Sequence, residues 1–317
     1  MRIFYLSIVT LFLNINVYAQ KAAPVFQVVP LGTRGGLDES NLSAYMLAPA
    51  HSNNYVCLDA GTLYAGIEKA IDHHVFSQPP ITVLRTNIKA YLISHAHLDH
   101  VAGLILNSPA DTNKNIYGTS FCLNNIQNHY FSWQTWANFG DKGEKPTLNK
   151  YHLIAINDST EEQIPGTELT VKAFELSHGT SYESTAFLLQ YNNAYVLYLG
   201  DTGADTIEHS NKLQLLWQAV APLVQQHLLK GVFIEVSYPN EQPDKQLFGH
   251  LKPRLLMQEI KVLATYAGKE AVKNLPVIIT HEKPEGNNEQ RIKQQVRAEN
   301  ALQLHLIFPV QGEKIIL

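Results

Sequence analysis

The sequence predicts an α/β (α+β) fold with a sheet-rich core and helices outside it. Three observations carry this. Short apolar strand-like runs come in close succession early in the chain and alternate with helix-like periodicities later. Hydrophobic residues make up 45 % and charged residues 16 % of the 317 positions, a globular balance rather than a disordered one. No repeat, low-complexity tract or linker divides the chain, so residues 20–317 read as one domain.

The elements follow in order. Residues 25–30 read as a strand, with a glycine turn after it at Gly32, Gly35 and Gly36. Residues 42–47 and 55–58 read as the next two strands, the second closed by Asp59-Ala60-Gly61, and 63–73 as a helix. A short apolar strand at 90–93 runs straight into the densest polar cluster of the sequence, and a helix follows at 101–106. Residues 119–139 hold Phe121, Tyr130, Phe131, Trp133, Trp136 and Phe139 at a spacing that suits a helix with a mixed face. Polar residues 141–150, with Pro146, read as a loop. Strands are expected at 151–155, 168–176, 185–191, 194–199, 231–236, 275–280 and 304–308, and helices at 213–229, 255–265 and 288–299.

Residues 1–19 read as a cleaved signal peptide. Arg2 is the only charge before Lys21, residues 3–13 are mostly apolar, and Val17-Tyr18-Ala19 ends in a small residue. The apolar run is short for a bilayer span, and Asn14 and Asn16 break up the residues just after it. The mature protein is therefore expected to be periplasmic or secreted, with no stable membrane anchor. Only Cys57 and Cys122 are present. An oxidising compartment would permit one bridge, but the apolar strand around Cys57 favours two independent buried thiols. A net charge of −4 leaves no basic footprint for a nucleic-acid polymer. A small phosphorylated substrate stays open, because metals supply positive charge locally. A chain of this length buries a large core unaided, so a metal here serves function rather than folding.

The chemistry begins at Ser94-His95-Ala96-His97-Leu98-Asp99-His100. His95 and His97 lie two apart on an extended backbone and point the same way. Asp99 and His100 turn out of the strand and can face a second ion. Imidazole and carboxylate are the donors that zinc and similar divalent metals take. Further donors are sought at strand ends, where loops carry function on rigid supports. Three fit: His178 after strand 168–176, Asp201 after strand 194–199, and His281 after strand 275–280.

That cluster followed by His178, Asp201 and His281 resembles the ligand set of the metallo-β-lactamase fold. The stretch from His95 to Ile105, continuing to Ser108-Pro109, is similar to the signature of class II cyclic-nucleotide phosphodiesterases. Also similar are Leu31-Gly32-Thr33-Arg34-Gly35-Gly36 with Asn41-Leu42-Ser43, and Leu58-Asp59-Ala60-Gly61. Ile234 to Asn240, Phe248-Gly249-His250-Leu251 and Ile279 to Pro284 fit the same pattern. The resemblance spans about residues 25–317. It implies a four-layer αββα sandwich with the site at one edge, between the two sheets. It implies two divalent ions, zinc first, with manganese and iron able to share such donors. His95, His97 and His178 would hold one ion, Asp99, His100 and His281 the other, and Asp201 would bridge both. The implied reaction is hydrolysis of cyclic AMP or cyclic GMP by a hydroxide that the two metals activate. Attack on phosphorus opens the ring at the 3′ oxygen and leaves a nucleoside 5′-monophosphate.

His250 lies outside that set, near a polar loop. An acidic residue before a downstream Gly-His, here Glu235 before Gly249-His250, resembles the RNA-processing members of the superfamily. The likeness implies that His250 is the general acid for the leaving 3′ oxygen, oriented by Glu235; the bland alternative is a surface or helix-capping histidine. Trp133 and Trp136 suit a purine-stacking wall or core packing equally, and Arg34 a phosphate contact or a solvated turn. A lactonase or thioesterase on the same fold shares these ligands and stays open. A β-lactamase with a cysteine ligand is disfavoured, because no Cys follows Asp201. Transfer-RNA processing fits poorly with a signal peptide and an acidic chain. A non-catalytic metal-binding protein is disfavoured by the complete set of donors. Oligomeric state is not encoded legibly.

Overall fold

The computed structural model describes residues 23–158, 160–179 and 182–317. The expected signal peptide at 1–19 lies outside them. Among the described residues, strands assemble into two seven-stranded sheets. The first holds β1 (Phe26–Gly32), β2 (Ala44–Pro49), β3 (Tyr55–Leu58), β4 (Ile88–Leu92), β5 (Lys114–Gly118) and β6 (Tyr151–Ala155). The second holds β7 (Glu161–Gln163), β8 (Thr170–Ser177), β9 (Glu183–Tyr191), β10 (Ala194–Leu199), β11 (Leu229–Glu235), β12 (Pro276–Thr280) and β13 (His305–Ile307). The chain then returns to add β14 (Ile315–Ile316) beside β1. In each sheet an antiparallel half (β1 to β3, β7 to β10) continues into a parallel half (β3 to β6, β10 to β13).

Strand alternation sets the layers. Val28, Tyr45, Leu47, Val56 and Leu58 point inward and meet Val171, Phe187, Val196 and Phe233 of the other sheet. Their neighbours Val29, Ala44, Met46 and Cys57 point outward. There they are covered by α1 (Tyr64–Asp72), α2 (Pro80–Thr86), α3 (Leu98–Asn107) and α4 (Ser120–Asn125). The second sheet turns Leu197, Val232, Ile234 and Ile279 to its own outer side. That side packs α5 (Asp205–Glu208), α6 (Lys212–Gln225), α7 (Pro253–Ala267), α8 (Lys269–Val272) and α9 (Asn288–Ala298). The order helix, sheet, sheet, helix is the predicted αββα sandwich. Cys57 and Cys122 are free thiols, both buried, donating to the carbonyls of Asp59 and Ile93.

Most expected elements stand within two or three residues of their predicted bounds. The aromatic helix over 119–139 does not. It is α4, then a π-helical turn at Ile126–Tyr130, then irregular chain. Thr135 Oγ1 closes the helical end, donating to the carbonyls of His129 and Tyr130 at 2.6 and 2.9 Å. Phe131 is drawn into the core against Tyr151, with rings stacked at 5.9 Å. The indole nitrogens of Trp133 and Trp136 are spent on Pro146 O and Ser108 Oγ.

One buried charge pair supports the first sheet. Asp111 accepts from Tyr91 and Tyr151 at 2.7 and 2.9 Å and pairs with Lys114, whose side chain is 2 % exposed. Asp111→Ala would strand that ammonium in the interior and is expected to cost about 3–5 kcal/mol. Adding Lys114→Met should recover most of the loss. Equilibrium denaturation of the two variants checks both statements.

Candidate metal centre

The carboxyl ends of strands in both sheets deliver the site, as they do in open sheets generally. Asp59 follows β3, residues 94–100 follow β4, His178 follows β8, Asp201 follows β10, and His281 follows β12. Glu235 is the last residue of β11. Asp59 and His281 turn the chain with φ of 54° and 58°, left-handed values that seldom occur outside glycine. His97 is extended (φ −67°, ψ 149°) and caps α3, which starts at Leu98, earlier than the sequence suggested. Asp99 and His100 therefore sit in the first helical turn, where the helix dipole favours the Asp99 carboxylate. Gly35 is required beside the site, because a methyl group there would lie 2.2–2.6 Å from the His281 ring.

All seven sequence-predicted donors converge. Asp201 Oδ2 is the hub. It lies 3.7 Å from His95 Nε2, 3.2 Å from His100 Nε2, 3.9 Å from His178 Nε2, 3.2 Å from His281 Nε2 and 3.8 Å from His250 Nδ1. Two sets form around it. One donor atom from each of His95, His97 and His178 lies within 4.8 Å of the others, and the same holds for Asp99, His100 and His281.

The outward-facing nitrogens explain the orientation of the rings. His100 Nδ1 donates to Asp59 at 2.8 Å, and His178 Nδ1 donates to the Gly249 carbonyl at 2.9 Å. Ser94 Oγ gives its proton to Asp59 and so accepts from His95 Nδ1 at 3.0 Å. Ser237 Oγ holds His281 Nδ1 at 2.9 Å. Each Nδ1 is thereby occupied, and each Nε2 presents a lone pair to the cluster; partners of this kind fix metal-binding histidines. His97 alone turns Nδ1 inward, 3.2 Å from His178 Nε2, while Tyr182 stacks on its ring at 4.4 Å. Among the described residues, Nε2 of His95 and of His100 is buried without a hydrogen-bond partner. The Asp201 oxygen stands 3.2 Å from His100 Nε2. Orphaned, converging lone pairs around a carboxylate are the donor chemistry that a divalent cation satisfies.

The electrostatics agree. Burial and the charge of His100 push His95 well down, and burial with His178 brings His97 to about 4. Burial opposes ionisation of Asp201, but His100 and His281 outweigh it and hold the carboxyl well below its ordinary range. His100 is the exception: burial opposes its charge, but Asp201 and Asp59 outweigh it and raise its pKa well above the ordinary value. The centre thus favours neutral His95 and His97 and an ionised Asp201, and a bound cation would take the place of the His100 proton.

His250 is buried against the donors, its ring 5.2 Å from that of His281. Its Nδ1 donates to Glu235 Oε1 at 2.9 Å, so the surface or capping reading is set aside. Burial brings His250 to about 4; burial, with Asp201 close by, raises Glu235 to about 7. Glu235 also accepts from Thr202 N at 2.8 Å and from Ser237 Oγ at 2.5 Å. Arg34 does not face a phosphate site. Its guanidinium grips Glu289 through two 2.9 Å bonds and Asp38 through one of 2.7 Å.

Sequence reasoning attached no role to Asp59, Ser94 or Ser237. Asp59 is fully buried and takes hydrogen bonds from Ser94 N, Ser94 Oγ, His100 Nδ1 and Tyr198 Oη. A carboxylate closing an apolar strand was the available signal.

The family described as cAMP phosphodiesterases class-II matches residues 80–305. A 3′,5′-cyclic-nucleotide phosphodiesterase of Aliivibrio fischeri is 38 % identical, over 98 % of this chain and 98 % of its own. A probable 3′,5′-cyclic-nucleotide phosphodiesterase of Yersinia pestis is 36 % identical, over 95 % and 92 %. Unliganded yeast PDE1 superposes with a TM-score of 0.82 at 22 % identity, covering 93 % of this chain and 100 % of that one. The metallo-β-lactamase fold protein YhfI of Bacillus subtilis gives 0.60 at 15 % identity, covering 92 % and 100 %. Sandwich, site and sequence agree: the chain has the metallo-β-lactamase fold and belongs to the class II cAMP phosphodiesterase family.

Proposed function

We propose that the chain hydrolyses 3′,5′-cyclic nucleotides, cyclic AMP or cyclic GMP, to nucleoside 5′-monophosphates with two divalent cations at this centre. The observation that carries the reading is one Asp201 oxygen set among five imidazoles in a member of a phosphodiesterase family. His95, His97 and His178 would hold one ion, Asp99, His100 and His281 the other, and Asp201 both. Zinc suits this imidazole-rich set best. Cations bound here offset the charge of the phosphodiester and make hydroxide available near neutral pH.

The remaining work belongs to side chains. Glu235 holds His250 Nδ1–H, so Nε2 is the ring nitrogen left to face substrate. The acting form is the imidazolium, protonated at both nitrogens: Nε2–H gives its proton to the 3′ oxygen as the bond from phosphorus breaks, and the ring returns to the neutral form that burial favours. The rings of His178 and His281 flank it and restrict its rotation. The substrate is a small cyclic nucleotide rather than a polymer, in keeping with a net charge of −4. We place the mature protein in the periplasm or outside the cell, on Arg2, the apolar stretch 3–13 and Ala19.

A substrate panel tests the reading. Metal-loaded protein is offered cyclic AMP, cyclic GMP, a lactone and a thioester, before and after chelation. Cyclic nucleotides should be opened to 5′-monophosphates, and the chelator should stop the reaction. Turnover of the lactone or thioester with the cyclic nucleotides untouched would sink it.

A further inference from the structure

The basic side chains around the centre differ in how far they are already committed. Arg34 is held by Glu289 and Asp38. Lys252 donates to the carbonyls of Asn240 and Gln242 and pairs with Asp244 at 2.7 Å. Arg291 pairs with Glu241 at 2.7 Å, and Lys293 with Glu282 at 3.2 Å. Lys283 is different. It is half-buried two residues after His281, and among the described residues no carboxylate or carbonyl pairs with its ammonium.

Its position is fixed from two sides. The ammonium lies 5.7 Å from the centroid of the Tyr238 ring, and that ring lies 5.9 Å from the ring of His250. Opposite is the glycine turn. A methyl group on Gly36 would sit 4.0 Å from Lys283 Nζ, and one on Gly35 would collide with the His281 ring. The charge therefore stands between Tyr238 and the glycine turn, the first beside His250 and the second beside His281. It also presses on His250: after burial, it lowers the His250 pKa more than any other cation nearby.

The ammonium keeps donors that no carboxylate or carbonyl of the described residues takes up, and the Tyr238 face holds it in place beside the site. An anion arriving at the centre would take up one of those donors. A cyclic nucleotide carries one negative charge on its phosphate, and the opened product carries a second ionisable oxygen. We propose that Lys283 is a specificity-determining residue whose ammonium takes a phosphate oxygen of the bound cyclic nucleotide and keeps it on the 5′-monophosphate product. The inference rests on the cyclic-nucleotide reading above.

Steady-state kinetics with cyclic AMP on wild type, Lys283→Met and Lys283→Arg tests it, together with inhibition by 5′-AMP and by adenosine. Without a charge-assisted hydrogen bond to the substrate phosphate, KM should rise about 10- to 100-fold in Lys283→Met, with kcat falling less than KM rises. Lys283→Arg should recover much of the difference. The inhibition constant of 5′-AMP should rise by a similar factor, while that of adenosine, which has no phosphate, stays put. Unchanged KM in Lys283→Met overturns the inference. So does an equal weakening of adenosine, which would move the contact to the nucleoside. Loss of metal in the variant overturns it too, since Lys283 would then support the centre and not the substrate. Wild-type protein inert toward cyclic AMP defeats the cyclic-nucleotide reading itself, and this inference with it.

Discussion

Asp201→Ala is expected to abolish cyclic AMP hydrolysis, by about 10³-fold or more, and to empty both metal positions. The size follows from what one atom does. Asp201 Oδ2 approaches within 4 Å of five imidazoles, two from each proposed donor set and that of His250. Removing it takes the shared anion from the middle of the cluster and leaves only neutral donors on the first set. Losing several kcal/mol of charge stabilisation at a two-ion centre amounts to about three decades or more in rate. His281→Ala should behave differently. His281 Nε2 faces Asp99 at 3.1 Å and Asp201 at 3.2 Å and belongs to the second set only. Its loss should weaken one ion and leave the other near full occupancy. Elemental analysis of wild type and both variants reads the difference. One ion per chain in wild type, or equal depletion in the two variants, would remove Asp201 from its bridging place.

The parts of the site that were legible in the sequence share a property. His95, His97, His178, Asp201 and His281 each interrupt or end an apolar run, so their residue type contrasts with their surroundings. The same contrast made most strands readable, because buried parallel strands are near-continuous apolar runs. Elements without that contrast were missed. β5 opens with Lys114-Asn115, and its lysine points inward because Asp111 and two tyrosines wait for it, a tertiary fact. α2 opens with Pro80 at its first position, a start signal that was present but unread. The aromatic stretch 119–139 had helical spacing, yet Phe131 gains more from the core than the helix gains from continuing past Tyr130. Of the supports, Asp59 carried the same contrast at the end of an apolar strand, but nothing in the sequence tied it, Ser94 or Ser237 to a particular histidine. What makes them matter is the ring nitrogen that each one holds, 41 residues away for Asp59 and 44 for Ser237. Arg34 was open in the sequence between a phosphate contact and a solvated turn, and only its tie to Glu289 on α9 reveals that the charge is already used.

His250→Ala should slow cyclic AMP turnover by about 10²- to 10⁴-fold, the usual contribution of a positioned general acid. The expectation comes from its two nitrogens. Nδ1 is tied to Glu235, which is itself buried and held by Thr202 N and Ser237 Oγ, so the ring cannot easily swing away. Nε2 is then the nitrogen free to reach the 3′ oxygen. A ribose alkoxide is a poor leaving group and needs that proton, whereas p-nitrophenolate departs without one. A p-nitrophenyl phosphodiester should therefore be hydrolysed by the variant at close to the wild-type rate. Glu235→Gln should fall between the two proteins on cyclic AMP, because it loosens the ring without removing it. There is a rival role to separate. His250 Nδ1 comes within 3.8 Å of Asp201, and the residue groups with His178 and Asp201 as a further set of donors. Were His250 a ligand, both substrates would suffer alike and the metal content of the variant would drop. Two ions retained, with the loss confined to the substrate that needs an acid, is the outcome that assigns His250 to the leaving group.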